Sequence, residues 1–237
     1  MIDIHSHILP GIDDGARNIA ESVEIVRSLA EQGVTDVVVT PHYIDGTSFA
    51  SPRSDNLKLL NELRQALVDE GVQVNLYLGN EIYICERIAE LVKAGKISAM
   101  GESRCLLVEL PLDEEFPNYE DYLLDLKEQG FQVILAHPER YMIMQNDFEI
   151  VRYLHNQGIL LQCNLGSLIG RYGKEAKKII KRLAKEKMIF AMGSDIHRPG
   201  RTPYVAMGQK KLAKYYSDHE LRWLLVGNPR KILKGEV

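Results

Sequence analysis

The sequence predicts an α/β protein, a distorted seven-stranded (β/α) barrel, and three observations carry that expectation. Apolar, β-rich runs alternate with amphipathic helical stretches. Four units share one grammar: EQGVTDVVVTPH, DEGVQVNLYLGNE, EQGFQVILAHPER and NQGILLQCNLGS each pass from a helical tail through a glycine (Gly33, Gly71, Gly130, Gly158) into an apolar run. Nearly every run then ends in a histidine or a carboxylate. Glycine just past a helix takes the left-handed conformation at little cost. Near-continuous apolar runs suit strands covered on both faces, as in parallel sheets. The C-terminal ends of such strands are where βα barrels build their sites.

In chain order, strands are expected near 2–5, 35–40, 73–79, 105–110, 132–136, 159–163 and 188–192. Ile19, Val23, Val26 and Leu29 fall on one helical face, with Asn18 and Glu21 placed as an N-capping arrangement. Leu57, Leu60, Leu63 and Leu67 form the next stripe, after a surface loop, SFASPRSD (48–55). Further amphipathic stretches lie near 119–129, 147–157, 174–187 and 204–216, and SDHELRWLLVGNPRKIL reads as a terminal helical segment. No linker or low-complexity segment divides the chain, so residues 1–237 read as one domain. An open doubly wound sheet is the alternative, but it calls for a glycine fingerprint after the first strand, and HSHILPGIDDG is not one.

The composition narrows the function classes. With 237 residues, 45% of them apolar, the chain can bury a sizeable core. A net charge of −4 argues against a nucleic-acid partner, and the basic run Lys174 to Lys187 reads as a solvated helix face. Three cysteines, Cys85, Cys105 and Cys163, are too few for a disulfide framework and fit a reducing compartment. There is no charged-then-apolar leader and no apolar run of about 18 residues. A cytoplasmic protein without direct membrane insertion is expected, with any membrane attachment made through a partner.

Five of the seven histidines stand at strand ends; His155 and His219 lie in helical stretches. His5 and His7 follow the first strand, then Asp14; His42 follows the second and Glu81 the third. Glu109 closes the fourth, His137 the fifth, and Asp195 with His197 follows the seventh. Gln162, Asn164 and Ser167 stand at the end of the sixth. Residues two apart on an extended strand point the same way, so His5 and His7 can grip one ion, and Asp195 with His197 repeats the arrangement. In a closed barrel the first and last strands are neighbours, so these pairs meet. Nine candidate ligands exceed what one ion needs. Mixed imidazole and carboxylate donors suit Mn, Fe or Zn, and so many carboxylates need cations between them. Two or three metals, binding phosphate oxygens and activating water, are the physical consequence. Arg140 in HPER and Arg201 in HRPGR are candidate phosphate ligands, since a guanidinium fork fits phosphate bidentately; Arg140 has Glu139 beside it as an alternative partner. Tyr43, Tyr83 and Tyr141 lie just past strands and read either as pocket lining or as packing.

The ordered set MIDIHSHILPGIDDG, VVVTPHY, GNEIYI, LLVELP, VILAHPERY and GSDIHRPGR resembles the polymerase and histidinol phosphatase superfamily. Within it, the set looks like the manganese-dependent protein-tyrosine phosphatases of bacterial capsule and exopolysaccharide loci. The resemblance runs from Met1 to the NPRKIL near the end. It implies a trinuclear manganese centre, with Fe, Zn, Co or Mg as other occupants. His5, His7, Glu81 and Asp195 would hold one ion; Glu81, Glu109 and His137 a second, with Glu81 bridging; Asp14, His42 and His197 the third. The family's DDG pattern favours Asp14 over its neighbour Asp13. The implied catalytic set is Arg140, Arg201, Asp195 and His42, with both arginines binding substrate phosphate. The implied substrate is a phosphotyrosine protein, the tyrosine-rich tail of a membrane-associated bacterial tyrosine kinase. A cysteine phosphatase is excluded by spacing, because the residues six after the three cysteines are Leu91, Pro111 and Ile169, none an arginine. A small-molecule phosphomonoesterase such as a histidinol phosphatase would use the same metals, and a module that only binds a phosphoprotein is the alternative from another class.

Overall fold

Each of the four repeated helix tails ends on its glycine in the left-handed region: φ is 83° at Gly33, 67° at Gly71, 82° at Gly130 and 79° at Gly158. The computed structural model describes residues 1–113, 116–200 and 204–237. Its strands are β1 (Ile2–Asp3), β2 (Asp36–Val39), β3 (His42–Tyr43), β4 (Asn75–Leu78), β5 (Glu81–Tyr83), β6 (Cys105–Glu109), β7 (Gln132–Ala136), β8 (Leu160–Asn164) and β9 (Ala191–Gly193). All pairings are parallel. Helices cover the outside, beginning with α1 (Ile19–Glu31), α2 (Arg53–Asp69), α3 (Ile88–Lys93) and α4 (Tyr119–Glu128). They are followed by α5 (Met142–Asn146), α6 (Phe148–Asn156), α7 (Leu165–Ile169) and α8 (Gly173–Lys185), then α9 (Tyr204–Leu212), α10 (Asp218–Arg222) and α11 (Asn228–Lys234). The Asn18 side chain caps α1 by accepting from Glu21 N.

The expected seven-stranded barrel needs a correction in its strand count. The curled sheet that carries the site has six strands, in the order β3-β5-β6-β7-β8-β9, and a three-stranded sheet β1-β2-β4 lies against its start. The cause is a break within each of two expected strands. Pro41, which has no N–H, separates β2 from β3. Gly79 and Asn80 separate β4 from β5, and Asn80 spends its side chain on the Pro41 carbonyl at 3.0 Å. The curl still returns to the chain's beginning. Ser6 bridges Ile196 in parallel, Asp195 N donates to His5 O, and His7 N donates to Ile196 O, both at 2.9 Å.

Strand residues alternate between two apolar layers, as side-chain period two requires. Val37, Val39, Leu106, Val108, Val133 and Leu135 pack outward against the helices. Ile4, Val38, Leu107, Ile134 and Ala191 face inward, where Met100 and Ile232 of α11 join them. Both faces are therefore dry, which is why these strands read as unbroken apolar runs. The inner layer fills the barrel below the site. No helix among the described residues is long and apolar enough to cross a membrane.

Candidate metal centre

Glu81 opens β5 with its side chain almost wholly buried, and four imidazoles surround it. Its Oε2 lies 3.1 Å from His5 Nε2, 3.1 Å from His7 Nε2 and 3.2 Å from His42 Nδ1; its Oε1 lies 2.9 Å from His137 Nε2. Glu109, at the end of β6, is 3.5 Å from His137 Nε2 and 3.6 Å from His42 Nδ1. Asp195 Oδ1 stands 3.6 Å from His5, 3.5 Å from His7 and 3.5 Å from His197. Asp14 Oδ1 is 3.4 Å from His197 Nε2 and 3.6 Å from His42 Nε2. All nine candidate ligands thus converge at the C-terminal ends of the strands. His7 stacks on His197 with ring centroids 4.0 Å apart, so the first and last HxH and DxH pairs do meet.

A surrounding ring of polar groups aims these ligands. His5 Nδ1 pairs with Gln162 Oε1 and His7 Nδ1 with Asp13 Oδ2, each at 2.9 Å, so both histidines turn Nε2 inward. Asp13 also accepts from Gly15 N and His42 N. Of the two aspartates in GIDDG, Asp14 faces the site while Asp13 stands behind it. Gly193 is required here: a Cβ on it would lie 2.6 Å from His5 Cβ and 2.7 Å from Gln162 Nε2. His137 and Asp195 hold positive φ values of 31° and 53°, rare for residues with side chains and characteristic of strained functional positions.

The electrostatics follow from the crowding. Burial alone would raise the Glu81 carboxyl, but His5 and His42 beside it and the hydrogen bond from His137 hold it well below the usual range. Glu109 goes the other way: burial, then the charge of Glu81, push it well above. Burial and the Arg140 cation lower His137 to about 4. The hydrogen bond from His197 is the main cause that takes Asp14 down to about 2.

These residues fit metal ions. His5 and His7 point Nε2 atoms at each other across 3.2 Å, and Nδ1 of both His42 and His137 is buried without a hydrogen-bond partner among the described residues. Imidazole and carboxylate lone pairs converging on one largely buried place are the donor set that cations take up. Three groups bring their donor atoms within 4.8 Å of one another: His7, Asp14, His42 and His197; His5, His7 and Glu81; and His42, Glu81 and Glu109. His7 and His42 each belong to two groups, a sharing that the sequence resemblance does not anticipate.

Arg140 does not pair with Glu139. Its NH1 donates to Asp195 Oδ2 at 2.7 Å and its guanidinium lies 4.5 Å over the Tyr172 ring. Glu139 is buried and accepts instead from Asn164 N and Ser167 Oγ. Arg201 lies outside the described residues. Sequence reasoning missed Tyr172, whose hydroxyl donates to Asp195 Oδ2 at 3.2 Å; Asn164, placed only as a polar residue at the end of the sixth strand, donates its amide to the same oxygen at 2.7 Å. It also missed Phe49, stacked on His42 with centroids 6.1 Å apart. Tyr43 and Tyr141 prove to be packing residues in the outer core; the Tyr141 hydroxyl donates to Ala136 O and accepts from Leu110 N.

Residues 1–234 match the family model described as capsular polysaccharide synthesis, CpsB/CapC. The chain is a member of the CpsB/CapC family. Among its relatives, CapC of Staphylococcus aureus is 33% identical over 224 residues, covering 93% of this chain and 87% of CapC. The tyrosine-protein phosphatase CpsB of Streptococcus pneumoniae is 28% identical, with both chains covered in full. A chain from the crystal structures of YwqE of Bacillus subtilis and CpsB of Streptococcus pneumoniae, metal-dependent tyrosine phosphatases, superposes with a TM-score of 0.92 at 28% identity, covering 99% of this chain and 95% of that one. The histidinol phosphate phosphatase of Lactococcus lactis shares the fold, with a TM-score of 0.61 at 16% identity over 94% of each chain. This CpsB/CapC protein therefore carries its cluster of histidines and carboxylates on an α/β fold that the histidinol phosphate phosphatase shares.

Proposed function

We infer that the chain is a metal-dependent protein-tyrosine phosphatase acting in capsular polysaccharide synthesis. The observation that carries the reading is the Glu81 carboxylate held by four imidazoles at 2.9–3.2 Å in a dry pocket. In this reading residues 1–237 form one phosphatase domain. His5, His7, Glu81 and Asp195 hold one ion, Glu81, Glu109 and His137 a second, and Asp14, His42 and His197 a third. Manganese is the proposed occupant, and the donor set also suits Fe, Zn, Co or Mg. Bound there, such ions supply Lewis acidity toward phosphoryl oxygens and lower the pKa of water.

The chain's own residues do the rest. Arg140 is fixed by Asp195 and by the Tyr172 ring, which leaves the remainder of its fork for phosphoryl oxygens. Arg201, from its place in HRPGR, is the second phosphate ligand. Half-buried Phe49, flat against His42, offers an aromatic wall beside the carboxylates, fitted to a phenyl ring. Asn164 and Tyr172 hold Asp195 so that its other oxygen faces the histidines. Charge on the transferring phosphoryl group is then met by groups already in place. The substrate is a phosphotyrosine protein, and a membrane-associated tyrosine kinase is the proposed one. A cytoplasmic setting is supported by three free cysteines, two of them buried.

The test is phosphate release from a phosphotyrosine peptide, with chelator and then with manganese restored. Loss and rescue, with phosphotyrosine preferred over phosphoserine and histidinol phosphate, is the expected result. No release with any metal would sink the reading, and a preference for histidinol phosphate would move the enzyme to small phosphomonoesters.

A further inference from the structure

The protein is acidic overall, yet one face is not. Along α8, Lys174, Lys177, Lys181 and Lys185 recur at helical spacing on the side away from buried Ala176, Ile180 and Leu183. Across a narrow cleft of about 180 Å³, Lys211 and Lys214, at and just beyond the end of α9, join Lys177 and Lys181, with Leu168 and Tyr215 as floor and wall. None of these six lysines has an acidic partner among the described residues. Arg182, on the same helix, is by contrast tied to Glu186 and Glu149. Six adjacent cations without counter-charges repel one another and raise the cost of the folded state. A solvated helix needs no such concentration.

The position of the strip is the second observation. α8 starts directly after Tyr172, whose hydroxyl touches Asp195 and whose ring carries Arg140. Lys177 folds back over the turn between α7 and α8, its Nζ 3.5 Å from the place a Cβ on Gly170 would occupy. The strip therefore begins at the rim of the metal centre and runs outward. At about 1.5 Å of rise per helical residue, Lys177 stands about 7 Å along the axis from Tyr172 and Lys181 about 13 Å. An extended peptide advances about 3.3 Å per residue, so these lysines match positions two to four residues from a residue in the site.

We propose that the lysine strip of α8 and α9 is the substrate-docking surface of the enzyme, and that it recognises anionic side chains, carboxylates or further phosphates, two to four residues from the phosphotyrosine being hydrolysed. This deepens the phosphatase reading and rests on it. An acidic polypeptide is the occupant because the strip is continuous with the site. A flat membrane-binding face has no reason to start at a catalytic rim or to fold into a cleft between two helices.

The experiment compares manganese-loaded wild type with K177E/K181E/K211E/K214E, whose changes all lie outside the catalytic machinery. Substrates are a phosphotyrosine peptide flanked by glutamates, its glutamine counterpart, one with a second phosphotyrosine three residues away, and p-nitrophenyl phosphate. In wild type, kcat/KM for both anionic peptides should exceed the glutamine peptide by about ten-fold, shrinking as salt rises. In the variant that advantage should vanish while p-nitrophenyl phosphate turnover holds. Preference for the doubly phosphorylated peptide alone assigns the strip to phosphates; an equal gain from glutamates assigns it to charge in general. Equal rates on charged and neutral peptides in wild type, or an unchanged preference in the variant, would overturn the proposal and leave the phosphatase reading intact. If no substrate is hydrolysed, the phosphatase reading fails separately. Fluorescence anisotropy of the labelled acidic phosphopeptide then decides, with charge-reversal-sensitive binding supporting the strip and insensitive binding refuting it. Phosphatidylglycerol vesicles that sediment with wild type but not the variant, without any peptide preference, would give the strip to a membrane and overturn the proposal.

Discussion

The two ends of the barrel are built from the same strands under opposite rules. At the C-terminal end of the strands, histidines and carboxylates crowd within 4 Å, two residues with side chains sit at positive φ, and buried nitrogens lack hydrogen-bond partners among the described residues. Below them, Ile2, Ile4, Leu107, Ile134 and Met100 close around Ile232 of α11 in an apolar cluster. One end concentrates conflict and the other removes it. The difference teaches that the lower end carries stability which the upper end can spend on chemistry, a division known from barrels generally.

Substitutions should keep that division. The largest effect belongs to Glu81→Gln, which removes the carboxylate shared by four histidines. Turnover measured with saturating manganese should fall about a thousand-fold or more, roughly 4 kcal/mol of transition-state stabilisation, while circular dichroism shows the fold retained. Loss of the fold instead would show that the upper end also carries stability. At the lower end Ile232→Ala should cost about 3 kcal/mol by urea denaturation and leave kcat per folded molecule unchanged. A drop in kcat would mean the plug positions the site.

Tyr172→Phe comes next. It keeps the ring under Arg140 and loses only the hydroxyl on Asp195, so about ten-fold in kcat/KM is expected with little change in melting temperature. The smallest effect is at Glu220, beside the lower end. Hydrogen bonds from Lys187, then from Ser217, hold its carboxyl down to about 2. A depressed carboxyl gives its contribution fully above about 4.5, and loses it as pH falls through about 2. Glu220→Gln should lower the neutral plateau slightly, leave stability below about pH 2 unmoved, and so flatten the acid limb. An unchanged acid limb would remove this pair from the account.

Much of both ends was legible in the sequence, for different reasons. The upper end shows because histidines and carboxylates recur at strand ends at spacings two apart, and all nine meet. What escaped is the ring behind them. Tyr172 carries no periodicity or motif, Asn164 shows only as a polar residue at a strand end, and only the fold brings both to Asp195. Asp13 could be read as the neighbour of Asp14 but not as the group that orients His7, since that depends on the turn at Gly15. Arg140 meets a partner 55 residues away rather than the adjacent Glu139. The strand count failed at Pro41 and Gly79–Asn80, where apolar runs continue across a break in pairing; the TPH proline was the available sign. Helices α3, α5 and α7 are five or six residues long, too short to show a period.

The junction between the first and last strands also sets a timetable. Ser194 Oγ reaches back to His5 O across 189 residues. A ribosome making about 5–20 residues per second takes roughly 10–40 seconds to cover that interval. Through all of it His5 and His7 exist without Asp195 or His197, and the inward faces of the strands wait for Ile232, later still. Contacts so distant along the chain form late in folding. Closure is thus a step that follows synthesis of nearly the whole chain, and a truncated product has neither a finished interior nor a finished ligand set.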